Sequence, residues 1–516
     1  MKNSVEVKFN ISHILRLFFI TLLINSCAEG VPRPNVVLIL VDDMGWSDLG
    51  CYGSEISTPH IDELAANGMR FFNSYNTSKC FPSRAALLTG LYAQECGLGV
   101  DFKNPITNAV TLGQVLQTAG YKTFWSGKHH GVQNPYYLGF NRYYGLRDGA
   151  SNHFNPGDQR ENEAKPAQKR TRTWCIDSLV ISPYTPPNDF YSSDYFTNYA
   201  VDYIEEASST EDPFFLYVSY TAPHDPLMAW PEDIKKYKGA YDSGYEMIRQ
   251  RRFERQKKLG LIDSNFRLSE FSGRDWQELS LAEQKEEARK MEVYAAMIDR
   301  IDQNVGRLIE KLRIEGELEN TLILFMSDNG ASDVVVDLKN DNDSSEIGSL
   351  DRWVSLGSSW ANVSNTPFRY FKNYSYEGGI RTPFVVHWPL RIQNSINTNA
   401  VVHFIDIMPT VVELSGATYP EQLDGERIIP MRGESFIPAF QNLSQKRRDP
   451  LFFEWEDGQA VRSDNWKLVR EGEESEWELY QINLDPTETM NVSSEFPEIK
   501  EYLLSEFMSW KKSLIP

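Results

Sequence analysis

The sequence predicts an α/β protein: a large mixed, mostly parallel sheet flanked by helices on both faces, with a smaller C-terminal antiparallel sheet packed with a helix. Three observations carry this. Apolar runs at 35–41, 214–220, 322–326 and 384–388 lack the polar alternation of a half-exposed strand, which suits strands buried on both faces of a parallel sheet. Helical patterns lie between them, as strand–helix alternation in such a sheet requires. Beyond 447, short runs at 451–453, 459–461, 467–469 and 478–480 are separated by turn signals and followed by a helical stretch near 495–511.

The elements follow in order. Lys2, Lys8 and Arg16 precede an apolar run at 17–24 that is too short to span a bilayer, the pattern of an export signal. Asn25-Ser26-Cys27 resembles a bacterial lipobox, in which Cys27 is lipidated after cleavage; an ordinary cleaved signal peptide is the alternative. The expected location is the periplasm or the outer membrane of a Gram-negative bacterium, with membrane attachment only through that lipid. Residues 28–446 form the expected main domain and 447–516 a C-terminal α+β subdomain. Thr111 caps a helix through Gln117 that Gly120 stops. A longer helix at 284–312 places Met291, Ala295, Ile298, Ile301, Val305 and Leu308 on one apolar face. The stretch 151–284 reads as an irregular, charged elaboration lining one side of a cleft.

The formal net charge is −20 with no long Lys/Arg block, which excludes nucleic acid as a natural partner. An anionic ligand would need a local cationic pocket rather than the field of the whole protein.

Polar residues just past the strand ends of an α/β sheet converge on its ligand crevice. Here they are Asp42-Asp43, Asp328-Asn329 and His224. Either acidic pair alone reads as turn capping. Together they offer oxygen donors to a hard cation, Ca²⁺ or Mg²⁺, and no thiolate or imidazole set for zinc. Cys80-Phe81-Pro82-Ser83-Arg84 opens a helix that ends at Gly90. Pro82 fits the first turn, so Cys80 lies beside a helix N-terminus, where partial positive charge favours anions.

Cys-x-Pro-Ser-Arg followed by Ala-Ala-Leu-Leu-Thr-Gly resembles the signature of the formylglycine-dependent sulfatases of the alkaline-phosphatase-like superfamily, in their bacterial arylsulfatase-like form. The resemblance extends to Val41-Asp42-Asp43-Met44-Gly45, Gly127-Lys128-His129-His130, Ala222-Pro223-His224, Ser327-Asp328-Asn329-Gly330, Asn365-Thr366-Pro367-Phe368-Arg369, and Lys372 followed by Tyr376-Glu377-Gly378-Gly379. It implies a sulfuric ester hydrolase in which a maturation enzyme oxidises Cys80 to formylglycine (3-oxoalanine). One hydroxyl of the hydrated aldehyde attacks sulfur and forms a covalent sulfate ester; the other drives collapse and expels inorganic sulfate. Asp42, Asp43, Asp328 and Asn329, with position 80, would hold one divalent ion, Ca²⁺ ahead of Mg²⁺. Arg84 would neutralise the nucleophile or reach the metal-ligand carboxylates, and Lys128 and Lys372 would clamp the sulfate. His224 would bind substrate and, with Lys372, protonate the leaving alcohol; His130 would take the proton during aldehyde regeneration. His129 stands where the family carries an aromatic.

With Cys27 lipidated and Cys80 modified, Cys51, Cys96 and Cys175 remain, an odd number that cannot all pair. The substrate expected by analogy is a sulfated carbohydrate. Rival readings are a phosphonate monoester or phosphodiester hydrolase of the same superfamily and a non-catalytic binder of sulfated glycans.

Overall fold

Asn35–Asp42, the first strand, is buried along its whole length, and its alternate residues enter two different cores. Val37, Ile39 and Val41 pack on one side, and Val36, Leu38 and Leu40 on the other. In the computed structural model this strand lies in a ten-stranded sheet. The spatial order is Ile396–His403, Met69–Tyr75, Phe384–His387, Thr321–Ser327, Asn35–Asp42, Phe214–Pro223, Lys122–Gly127, Arg142–Leu146, Trp174–Ile176 and Leu179–Ile181. The structure describes residues 32–158, 172–339, 345–393, 395–441, 443 and 446–514; Cys27 and its signal segment lie outside them.

The five strands from Thr321–Ser327 to Arg142–Leu146 are mutually parallel, and only Phe384–His387 and Trp174–Ile176 run against the rest. Phe384–His387 therefore corrects the expectation of a fourth parallel run. The chain leaves Thr321–Ser327 at the sheet's carboxyl end and enters Phe384–His387 from that same end, Phe384 pairing with Met326. A strand entered there can only run back down.

Ser192–Ser208 and the 34-residue helix Leu281–Ile314 supply the first core. The long helix starts three residues before the periodicity predicts because Ser280 and Glu283 form a reciprocal capping box (3.3 and 2.8 Å). Thr111 caps Leu112–Thr118 in the same way with Gln114. The described residues of the stretch 151–284 are not irregular throughout. They contain Ser192–Ser208, Phe214–Pro223 and Tyr245–Lys258. The last of these hides from an apolar-stripe reading because it buries Arg252 by ion pairing, to Asp48 at 2.6 Å and Glu55 at 2.7 Å.

The C-terminal antiparallel sheet has the order Leu451–Trp455, Gly458–Ser463, Trp466–Glu471, Glu478–Gln481, and Pro497–Ser513 buries Leu503, Phe507 and Trp510. It joins the second core, and the described residues from 34 to 514 pack as one unit. One buried network fastens it. Lys467 Nζ sits 2.9 Å from Glu377 Oε1 and 2.7 Å from Glu488 Oε1, while Glu377 Oε2 accepts from the Tyr75 hydroxyl (2.8 Å) and Arg381 (3.2 Å).

Removing one member of such a network strands the others' charges in the interior, which costs roughly 3–5 kcal/mol. Lys467→Met should thus lower the melting temperature markedly, whereas Lys446→Met, at the exposed pair with Asp464, should leave it unchanged within error. Equal shifts in thermal unfolding would show that the network does not fasten the sheet.

Candidate active site

Two adjacent strands end together. Val41 pairs with Ser327, and the Asp328 amide donates to the Val41 carbonyl at 3.1 Å, so Asp42-Asp43 and Asp328-Asn329 leave the sheet side by side. Consecutive strand residues point to opposite faces. Asp43 has a left-handed backbone (φ 66°) that breaks this alternation, and both carboxylates reach one cluster.

Each carboxylate meets a cation. Lys128 Nζ lies 2.6 Å from Asp42 Oδ2. Lys372 Nζ bridges both oxygens of Asp43 at 2.6 and 2.8 Å. Arg84 Nε donates to Asp328 Oδ2 at 2.9 Å, with its Nη2 3.7 Å from Asp42 Oδ1. All six side chains are buried, so lysines that a sequence would place in solvent are core residues here. Burial works against ionising Asp42, but Lys128, His224, Arg84 and Lys372 together outweigh it and hold the carboxyl far below its usual range. Asp328 is pushed up to about 6, chiefly by burial and then by the Asp42 charge. Burial opposes the charge on Lys372, yet Asp43 and its neighbours hold its ammonium well above the ordinary range.

Cys80 is the first residue of the helix Cys80–Thr89, and its Sγ lies 3.8 Å from Asp43 Oδ1. Burial pushes its thiol up to about 12, a poor thiolate nucleophile as it stands. His224 Nε2 approaches Asp43 Oδ2 at 3.6 Å, and its Nδ1 donates to the Asp225 carbonyl at 2.8 Å. His130, with φ 63°, sits against Phe81 and Phe102. Burial, then Lys128 and Arg84, keep it neutral, and its buried Nδ1 has no hydrogen-bond partner among the described residues. His129 instead packs on the edge of Trp125.

Oxygen atoms of Asp42, Asp43 and Asp328 and the Cys80 Sγ all lie within 4.8 Å of one another. Among the described residues Asp42 Oδ1 and Asn329 Oδ1 are buried without a hydrogen-bond partner, an arrangement that costs stability unless something else binds them. A hard cation fits this donor set. Three carboxylates against three cations cancel; a divalent ion held among them leaves the cluster two charges positive, ready for an anion.

Several supporting residues carried no signal in the sequence. The Tyr294 hydroxyl sits between two acceptors, the Asp43 carbonyl (3.1 Å) and Asp48 (2.8 Å), that share its one proton, and Arg252 holds Asp48 from behind. His153 bridges Ser192 Oγ and the His224 carbonyl at 2.8 and 3.0 Å. The Trp353 indole donates to Asp225 at 3.0 Å. The stretch 151–284 contributes Phe154, Trp230 and Lys235 to the wall of a cleft of about 1410 Å³, but no residue of the cluster around Cys80 lines it.

The sulfatase family model matches residues 34–417, and that of the N-sulphoglucosamine sulphohydrolase C-terminal region matches 367–512. An uncharacterized sulfatase of Schizosaccharomyces pombe is 34% identical, covering 94% of this chain and 95% of its own. An arylsulfatase of Klebsiella aerogenes is also 34% identical, covering 81% and 94%. The solved structure of Ps i-CgsB in complex with k-i-k-neocarrahexaose superposes with a TM-score of 0.68 at 25% identity, over 93% and 92% of the two chains.

An ion that binds only the native state adds about 2.7 kcal/mol when its free concentration is a hundredfold above Kd. Ca²⁺ should therefore raise the melting temperature of the chelator-treated protein, and Asn329→Ala should abolish or strongly weaken that rise. No response in the wild type would mean that the four strand-end residues do not hold an ion.

Proposed function

Because this chain belongs to the sulfatase family and is a sulfuric ester hydrolase, we propose that it removes sulfate from a sulfated polysaccharide or its oligosaccharides, using formylglycine made from Cys80 and one divalent cation, calcium ahead of magnesium. The observation that carries the reading is the placement of Cys80 at a helix N-terminus, 3.8 Å from Asp43 within the cluster that Arg84, Lys128 and Lys372 close.

Asp42, Asp43, Asp328 and Asn329 would hold the cation, which neutralises sulfate charge and eases deprotonation of the nucleophile. The formylglycine hydrate supplies two hydroxyls on one carbon, one to attack sulfur and one to expel sulfate. The rest falls to the chain's own groups. An ammonium has three donors; Lys128 spends one on Asp42 and Lys372 two on Asp43, which leaves both able to reach sulfate oxygens. Arg84 neutralises Asp328 and keeps the helix start against the cluster. His224 has its Nδ1–H committed to a carbonyl, so Nε2 is the ring nitrogen left to face the leaving alcohol, and it delivers a proton there from the imidazolium form, in which both ring nitrogens carry hydrogen. His130, held neutral, is in the form that accepts one.

The carbohydrate reading draws support from the neocarrahexaose held by the similar Ps i-CgsB structure. A maturation enzyme for Cys80 is the implied partner, and the signal-like residues 1–27 fit export to the periplasm or outer membrane.

Inorganic sulfate should appear from defined sulfated sugars and aryl sulfates, far faster than phosphonate from a phenyl phosphonate monoester. Mass spectrometry of the peptide containing position 80 should show replacement of the thiol by an aldehyde, and Cys80→Ala should abolish turnover. Full activity with an unmodified thiol would overturn the mechanism. Lys372→Ala and His224→Ala should lose rate in proportion to phenol pKa across aryl sulfates, up to about 10²–10⁴-fold for the poorest leaving groups. Losses that are identical across the series would remove both residues from leaving-group protonation.

A further inference from the structure

A second cleft, of about 740 Å³, opens between the loop 260–266, the strand Met69–Tyr75 and the C-terminal sheet, and no residue of the cluster around Cys80 lines it. This volume is in the range of small-molecule sites. Arg462 and Arg381 lie on its walls, each only 6% exposed. Arg381 is accounted for: it donates to the Phe72 carbonyl at 2.6 Å and to Glu377 at 3.2 Å. Arg462 is not. Among the described residues its Nε and Nη1 are buried without a hydrogen-bond partner, and the guanidinium lies over the face of Tyr75 at 4.8 Å. The nearby carboxylate of Glu377 is already engaged by Lys467, Tyr75 and Arg381.

Guanidinium groups this buried are ordinarily paired with an anion. Counting the buried network, Arg381, Arg462 and Lys467 face Glu377 and Glu488, three positive charges against two negative. Asp263, Asp449 and Asp464, the last paired with Lys446 at 2.9 Å, also line the cleft but are exposed, where water and salt screen them. The exposed Asn399, Asn465 and Asn483 complete a polar rim.

We propose that this cleft is a second anion site, separate from the catalytic centre, in which Arg462 binds a tetrahedral oxyanion, either free sulfate or a sulfate group carried on a sugar. A planar guanidinium presents its donors in a fork that matches such oxygens. The surplus space and the rim amides would accommodate a sugar ring around the charged group. The proposal does not depend on the catalytic mechanism.

Equilibrium dialysis with radiolabelled sulfate tests it. The wild type should show one more sulfate site per chain than Arg462→Met, and the variant should keep its aryl sulfatase rate within about twofold. Asn399→Glu, at an exposed rim position, guards against misfolding of the first variant and should weaken the same site at least about fivefold. A sulfated monosaccharide that displaces the label at much lower concentration than inorganic sulfate, while its unsulfated parent does not, identifies the sugar as the source; equal potency identifies the free ion. An unchanged number and affinity of sulfate sites in both variants would overturn the proposal. Loss of aryl sulfate hydrolysis in the wild type would count against the catalytic reading alone.

Discussion

Six charges shut away from water at the carboxyl end of one sheet govern this structure. Asp42, Asp43 and Asp328 can remain ionised there only because Arg84, Lys128 and Lys372 face them, and the cations are tolerable only for the same reason. Desolvation of either set alone would exceed anything the fold could offset. The balance is local, which reconciles a protein of formal charge −20 with an anionic substrate: the overall field is screened within about a nanometre, whereas the interior pocket is not.

The scaffold serves that balance. Asp42 and Asp328 converge because their strands are parallel neighbours in register. Lys128 follows the strand Lys122–Gly127, on the other side of Phe214–Pro223. Lys372 comes from the long excursion between Ser327 and Phe384, whose far end is pinned to the C-terminal sheet through Glu377 and Lys467. Behind Asp43, the Tyr294 hydroxyl and the Asp48–Arg252 pair fix the backbone from the long helix and from Tyr245–Lys258. The segments that read as elaboration are therefore braces of the site.

Much of this was legible in the sequence. Apolar runs ending in Asp-Asp and Ser-Asp-Asn-Gly mark the two central strands and the oxygen donors together, and the cysteine motif marks its helix start. What was not legible has physical reasons. Met69–Tyr75 and Ile396–His403 are interrupted by Arg70, Asn73 and Asn397 and carry no continuous apolar run. Tyr245–Lys258 is stabilised by buried ion pairs rather than an apolar stripe. Tyr294 and His153 act through one backbone carbonyl each, a role that any donor of suitable reach could fill and that leaves no pattern in a single sequence.

The burial of Cys80 bears on when the protein can be made competent. The residue is 1% exposed, its sulfur shut in among the strand-end carboxylates of Asp42, Asp43 and Asp328. An enzyme acting on that sulfur needs the peptide around it in its own cleft, which the finished helix Cys80–Thr89 forbids. On the proposed function, conversion has to precede closure of the sheet, so the ripened share of each batch is set during biogenesis by a race between modification and folding. A molecule that folds first is a stable protein with an inert thiol, and only unfolding would give it a second chance.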